Sequence, residues 1–188
     1  RTTFYELHLM IQEVMPWLDY HLYEFVTPHF VAADLEFVEQ DFPASKEINY
    51  IDSKSVVISA PIIVYEKIDY FYDFGDGWHF RITLEDVVED CETSTPKLLA
   101  WKGTAPPEDV GGVGGYERFK EVMADPSHEE YEELKEWAES QQYGDLDIDL
   151  ANEILDDFFS DTGYVHFMNP YHLMEEASKK QMEGQEED

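Results

Sequence analysis

One cysteine, Cys91, stands in 188 residues. No intrachain disulfide can form, and no zinc site can be built from cysteine thiolates. Positive charge is the second scarcity. Lys and Arg number 12 against 43 Asp and Glu, which gives a net charge of −31. A field of that sign repels phosphate backbones and lacks the counterion release that drives nucleic-acid binding. It is equally unsuited to an anionic lipid surface. Direct nucleic-acid and membrane binding are therefore not expected, whereas a divalent cation or a basic protein partner is favoured. There is no apolar run of membrane-spanning length and no opening signal peptide, so the expected location is cytoplasmic. Catalytic signatures are scarce too. There is no Gly-x-Ser-x-Gly elbow for a serine nucleophile. No lysine follows Gly111-Gly-Val-Gly-Gly115 as it would in a P-loop. Asp73-Phe-Gly75 imitates the kinase magnesium motif without any other kinase part. Asp145-Leu-Asp-Ile-Asp149 has calcium-loop spacing but Leu150 where glycine is needed. No cofactor is called for, and the balance leans away from an enzyme.

What is present is material for a core. Hydrophobic residues make up 43% of the chain and aromatics 15%, enough to bury a single domain. Residues 1–160 read as one α+β domain. Residues 161–188 read as an irregular aromatic segment and an acidic tail. Thr3 and Glu6 form a capping box, and Phe4, Leu7, Ile11 and Val14 recur at helical spacing up to Pro16. His8 and Glu13 fall on the polar flank of that helix. His21 to Val26 alternates as a strand, and 29–37 is a second strand or an irregular extension. Residues 39–54 read as a loop, Ser59-Ala-Pro61 as a single short turn, and 90–97 as a polar loop. Residues 98–103 suit a short strand. The Pro- and Gly-rich stretch 104–115 is a loop, after which Tyr116 opens a helix. Ser127 and Asp149 are expected to cap two more.

The centre of the pattern is a β-hairpin over about 65–86, whose tip is Tyr70-Phe-Tyr-Asp-Phe-Gly-Asp-Gly-Trp78. A three-residue loop, Gly75-Asp76-Gly77, would set Phe74 opposite Trp78, Tyr72 opposite Phe80 and Asp73 opposite His79, which sorts apolar and polar faces together. The fold expected is α+β: a mostly antiparallel sheet built on this hairpin, packed by an N-terminal helix and C-terminal helices.

These residues carry a resemblance. Glu6-Leu7-His8, His21-Leu-Tyr-Glu-Phe25, the aspartate-rich turn, Pro106-Pro-Glu-Asp-Val-Gly-Gly112 with Gly115-Tyr116, Asp125-Pro-Ser-His128, Leu134, Trp137 and 149–155 follow in order. Over residues 2–158 the chain resembles the plasmid Ri ORF-three-like family, some members of which are labelled transposon-passenger proteins. The resemblance implies an α+β domain and a mobile-element association, but no established activity. The chain departs from the family in lacking an initial strand pair. Phe80 stands where relatives commonly have histidine, and Ala105 and Val110 stand where they often have cysteine.

Asp73, Asp76, Glu108 and Asp109 are the candidate constellation. If the Pro-Pro-Glu-Asp loop folds over the hairpin, these carboxylates converge and suit a hard cation or acid–base chemistry. Turn chemistry is the competing account, with Asp76 in the turn, Asp73 paired to His79, and Glu108 and Asp109 accepting N–H bonds locally. Trp78, His79 and Tyr116 complete the candidate binding set; no residue is assigned as catalytic or as a metal ligand. The functional expectation is a protein-interaction or ligand-binding module. The alternative is a carboxylate-based, metal-dependent hydrolase, followed by a mimic of nucleic acid.

Overall fold

Thr3 and Glu6 set the start of the first helix, α1 (Phe4–Val14). The Glu6 N–H donates to Thr3 Oγ1 at 3.1 Å, and the Thr3 N–H donates to Glu6 Oε2 at 2.6 Å, so two otherwise orphaned donors are satisfied reciprocally. Met15 closes the helix before Pro16. The computed structural model describes residues 1–36, 48–89 and 95–160. The expected acidic tail, the expected irregular aromatic segment, Cys91 and most of the two loops at 39–54 and 90–97 lie outside those residues.

Five strands follow: β1 (Tyr23–Val26), β2 (Val31–Ala33), β3 (Tyr50–Asp52), β4 (Lys67–Tyr72) and β5 (Trp78–Thr83), with α2 (Ser59–Tyr65) between β3 and β4. The sheet order is β3-β2-β1-β4-β5. All pairings are antiparallel except β2 with β3, which is parallel. The α+β class and the mostly antiparallel sheet are those expected from the sequence. Helices α3 (Gly112–Met123), α4 (Tyr131–Ser140) and α5 (Ile148–Phe159) complete the described chain.

Several boundaries differ from the expectation. β3 emerges inside the stretch read as a loop because it pairs with β2, a non-local contact that composition does not signal. Ser59–Tyr65 makes a helix of seven residues, where β-branched residues suggested one turn. Residues 98–103 form no strand; the Leu98 backbone instead bonds the Asn152 side chain on α5 at both N–H and carbonyl. The last two caps are Glu130 and Asp147 rather than Ser127 and Asp149. Ser127 is occupied by Asp125, to which it donates from both N–H and Oγ.

One face of the sheet carries the core. Tyr23 and Phe25 on β1, Ile68, Tyr70 and Tyr72 on β4, and Trp78 on β5 are all buried, with Phe4, Met15 and Trp17 packed on them. Phe4 meets Phe25 with ring centroids 5.1 Å apart, and Trp17 stacks on Tyr72 at 4.7 Å. Such aromatic pairs contribute about 1 kcal/mol each beyond simple burial.

The hairpin register is two residues away from the expected one. Tyr72 opposes Trp78 and Tyr70 opposes Phe80. An even slip leaves every side chain on its own face, so the apolar sorting survives. What changes is the loop. It holds Asp73 to Gly77, closed by the Gly77 N–H donating to the Asp73 carbonyl at 2.6 Å. Asp73 and Gly77 both take positive φ, 50° and 70°. The physical cause is the Asp73 carboxylate: its Oδ1 accepts from the N–H groups of Gly75 at 2.9 Å and Asp76 at 3.2 Å, drawing Asp73 out of the ladder and into the turn. Phe74, expected inside, is thrown out and exposed. Gly75 is explained as well. A Cβ there would sit 3.1 Å from Asp73 Oδ1.

α1 also turns further than its leucines and isoleucines suggest. His8 and Gln12, one turn apart beneath Phe4, are fully buried, so His8 is a core residue and not a flank residue. Glu13 is half-buried, and burial pushes its carboxyl up from 4.5 to about 7. The unfolded chain therefore releases this proton first, and stability falls as pH rises from about 4.5 to about 7. Relative to the wild type, Glu13→Gln should gain on the order of 2 kcal/mol above pH 7 and nothing below pH 4, after discounting for partial exposure. Urea midpoints of the two proteins measured between pH 4 and 8 check this.

Candidate functional site: one histidine among three carboxylates

The Pro106–Gly112 segment lies across the hairpin tip because four hydrogen bonds hold it there. Trp17 Nε1–H donates to the Pro106 carbonyl at 2.9 Å, and the Leu18 N–H donates to Glu108 Oε2 at 2.7 Å. Tyr72 O–H donates to Glu108 Oε1 at 3.0 Å. The Gly111 N–H donates to Asp76 Oδ2 at 3.0 Å. The segment thus bridges the end of α1, the core strand β4 and the turn. Gly112 then comes so close that a Cβ on it would lie 2.2 Å from the Asp76 carbonyl oxygen, and Gly115 would place one 1.9 Å from the Val110 carbonyl oxygen. These two glycines admit backbone where any side chain would collide. They also let α3 begin at Gly112, four residues before the expected start at Tyr116.

This arrangement brings together His21, Asp73, Glu108 and Asp109. The Asp73 N–H donates to the Leu22 carbonyl at 3.0 Å, which seats the turn beside the residue after His21. His21 Nε2 lies 2.8 Å from Asp109 Oδ1, 3.7 Å from Asp73 Oδ2 and 3.9 Å from Glu108 Oε1. Each carboxylate has a different task. Asp73 is 6% exposed, with Oδ1 spent on the turn and Oδ2 directed toward His21. Glu108 is 3% exposed. Burial raises its carboxyl above the ordinary range, partly offset by the Leu18 and Tyr72 donors. Asp109 sits at φ 56° and is the solvent-exposed member. The charged Glu108 opposite Tyr72 adds to burial in holding that phenol far above its usual range.

One ligand atom each from His21, Asp73 and Asp109 lies within 4.8 Å of the others. Chelation at about 2.1 Å from an ion spaces ligand atoms by roughly 3–4 Å, so the 2.8 Å His21–Asp109 hydrogen bond would have to open slightly and the wider gaps close for three ligands to meet on one cation. The donor set is one imidazole nitrogen and two carboxylates, which suits a borderline divalent ion such as Zn²⁺ or Mn²⁺.

The other sequence candidates fall elsewhere. Asp76 caps Gly111 and stays with the turn. Asp73 does not pair with His79; in the actual register His79 stacks on Phe71 at 4.4 Å and bonds Asp69 at 2.8 Å on the opposite face. Trp78 is buried against Trp17 and Phe80 in the core. Tyr116 donates its O–H to the Thr104 carbonyl at 2.9 Å, fixing the other end of the proline loop. His21, like His8 and His128, could be a ligand by residue type, but a lone histidine at a strand edge reads as structurally satisfied and so stands outside the sequence candidates. Its signal is its place just before β1, beside the strand that ends at Tyr72 and leads into Asp73, but that adjacency exists only once β1 pairs with β4.

The fold and this corner define a class: an α+β domain with an aromatic core and a loop-covered histidine–carboxylate site. Within it, residues 1–152 match the family model described as plasmid pRiA4b ORF-3-like protein, and the chain belongs to that family. It is 36% identical over 157 residues to the uncharacterized protein y4hQ of Sinorhizobium fredii (strain NBRC 101917 / NGR234), covering 80% of this chain and 76% of that one. Among solved structures it is similar to the protein of unknown function MM3350 from Methanosarcina mazei Go1. That likeness has a TM-score of 0.55 and 34% identity, over 78% of each chain. Among the described residues, no helix is long and apolar enough to cross a membrane.

Proposed function

We propose that this protein is a ligand-binding module whose recognition site is the His21–Asp73–Asp109 corner, and that the corner takes a divalent cation. The observation that carries the reading is convergence: three ligating groups from three separate chain segments lie within 4.8 Å. They are held by an overlay of backbone and side-chain bonds that local turn chemistry does not require. The net charge of −31 concentrates cations around the molecule in the same sense. A basic protein is the macromolecular partner that such a field would draw.

Calorimetric titration with Zn²⁺ and Mn²⁺, with Mg²⁺ for comparison, tests the site. Zn²⁺ or Mn²⁺ is expected to bind one to one. Asp109→Asn and His21→Ala should each weaken it by about tenfold or more while leaving the fold intact, since second-rank partners alone often cost that much. Binding that persists unchanged in both variants places the ion elsewhere and ends the proposal.

The hydrolase reading has one support, the raised carboxyl of Glu108 beside His21. Against it, both Glu108 oxygens are already engaged by Leu18 and Tyr72, which suits a positioning role better than a free general base.

A further inference from the structure

A second concave surface shares Trp17, Leu18 and Pro106 with the corner just described but none of its ligands. It is a cleft of about 410 Å³ between the end of α1, Trp101, the Pro106-Pro107 loop and the connection from α4 to α5. That volume is within the range of small-molecule sites. Three acidic residues line it, Glu13, Asp145 and Asp147, and no Lys, Arg or His is among the described lining residues. Asp147 is committed as the cap of α5, accepting from the N–H groups of Asp149 and Leu150. Glu13 is different. It is half-buried, and no hydrogen bond or ion pair reaches its carboxyl among the described residues. A carboxylate so placed is costly unless something cationic or a proton meets it, and burial indeed drives it toward the protonated form.

Around Glu13 the cleft offers aromatic surface in Trp101 and Tyr143. It then continues past Val14, Met15 and Trp101 into a hollow of about 300 Å³ bordered by Met10, Ile11, Leu98 and Leu155. Among the described residues, Lys97 is the one charged residue along that hollow. An unpartnered carboxylate, aromatic faces and an apolar trough stand in sequence. The complement of that series is a molecule with a cationic head and an apolar body.

We propose that this cleft binds a small organic cation of that kind, an alkylamine or arylalkylamine. Its ammonium lies against Glu13 and its body runs along Trp101 toward Met10 and Leu155. The site is separate from the cation corner and stands or falls without it. Carboxylate ligands of the same shape are disfavoured by Glu13, Asp145 and the overall charge.

The test is calorimetry and two-dimensional NMR on the full chain, with hexylamine and phenethylamine as probes and hexanoate and hexanol as their uncharged or oppositely charged counterparts. The Trp101 indole N–H, which donates to the Gly103 carbonyl, supplies a resolved reporter at the cleft. Both amines are expected to bind and shift that signal, and hexanoate is not. Glu13→Gln, which keeps the shape, should weaken the amines by about tenfold while near-ultraviolet circular dichroism remains native. Asp109→Asn, at the other site, should leave amine binding unchanged. Equal binding of hexanol and hexylamine, or amine binding indifferent to Glu13→Gln, overturns the proposal.

Discussion

Gly112→Ala is expected to destabilise the protein by about 4 kcal/mol, among the largest effects a single methyl can have. Two costs act together. Gly112 has φ 65°, where an L side chain costs about 1 kcal/mol. The added Cβ also falls 2.2 Å from the Asp76 carbonyl oxygen and 3.1 Å from its carbonyl carbon. Those atoms are backbone and cannot rotate aside, so the glycine loop must lift away from the hairpin tip. Lifting breaks the bond from the Gly111 N–H to Asp76 and pulls on Glu108 and Asp109. Divalent-cation binding should therefore be lost along with stability. Gly114→Ala is the matched control: nothing lies within 4 Å of its Cβ and its φ is not positive. There the substitution should stabilise α3 by about 0.5–1 kcal/mol through helix propensity. Urea denaturation of both variants, with metal titration of whichever folds, reads the two opposite signs.

His8→Ala is expected to cost a similar amount, about 4 kcal/mol, from a cavity plus stranded polar partners. His8 is fully buried and stacks on Tyr23 with centroids 3.6 Å apart and planes within 8°. Its Nε2 lies 2.7 Å from Asp19 Oδ1 and its Nδ1 lies 2.8 Å from Tyr70 Oη. Burial holds the imidazole in its neutral form, in which Nε2–H donates to the Asp19 carboxylate and Tyr70 O–H donates to Nδ1. Gln12 closes the network, its Nε2–H donating to Tyr70 Oη at 3.3 Å and its Oε1 accepting from the Asp19 N–H at 3.0 Å. Tyr70→Phe removes one hydroxyl from this chain and should cost about 2 kcal/mol. The His8→Ala, Tyr70→Phe double variant should cost less than the sum, because each single change already strands the other's partner. Denaturant unfolding of the four proteins completes the cycle. Additive costs would mean that the two residues are not coupled.

Burial lowers the His8 pKa, and Asp19 offsets only part of that. The stability held in the neutral imidazole is complete above the ordinary histidine pKa of 6.5. It is lost as pH falls through the lower folded value, where the unfolded chain takes up a proton that the folded one resists. Glu13 acts in the opposite sense over an overlapping range. Its contribution must therefore be read as the difference between wild type and Glu13→Gln, not from the wild-type curve alone.

The sites legible in the sequence were those whose cause is local. The Thr3–Glu6 box, the stop at Pro16, the alternation in β4 and β5 and the sorting of Tyr70, Tyr72, Trp78 and Phe80 onto one face all follow from neighbours a few residues apart. The resemblance named the family from short motifs for the same reason. Cross-strand complementarity does not decide the hairpin loop, because it holds equally well after an even slip. The choice between registers fell to the Asp73 carboxylate, which captures two N–H groups and bends the chain two residues early. His8 reads as polar from the helix alone, and only the arrival of Tyr70 and Asp19, far apart in sequence, satisfies it in the core.

By itself the sequence determined the α+β class, the family, the excess of negative charge, and the aromatic face on which the core is built. These depend on composition and on period, which any chain carries before it folds. Tertiary structure alone decided that Pro106–Gly112 lies over the hairpin tip. It thereby set His21 among Asp73, Glu108 and Asp109, and left Glu13 in a cleft without a partner among the described residues. The reason is separation. Trp17 and Pro106, Tyr72 and Glu108, and Asp76 and Gly111 meet across long stretches of chain, and no local propensity encodes a contact of that kind.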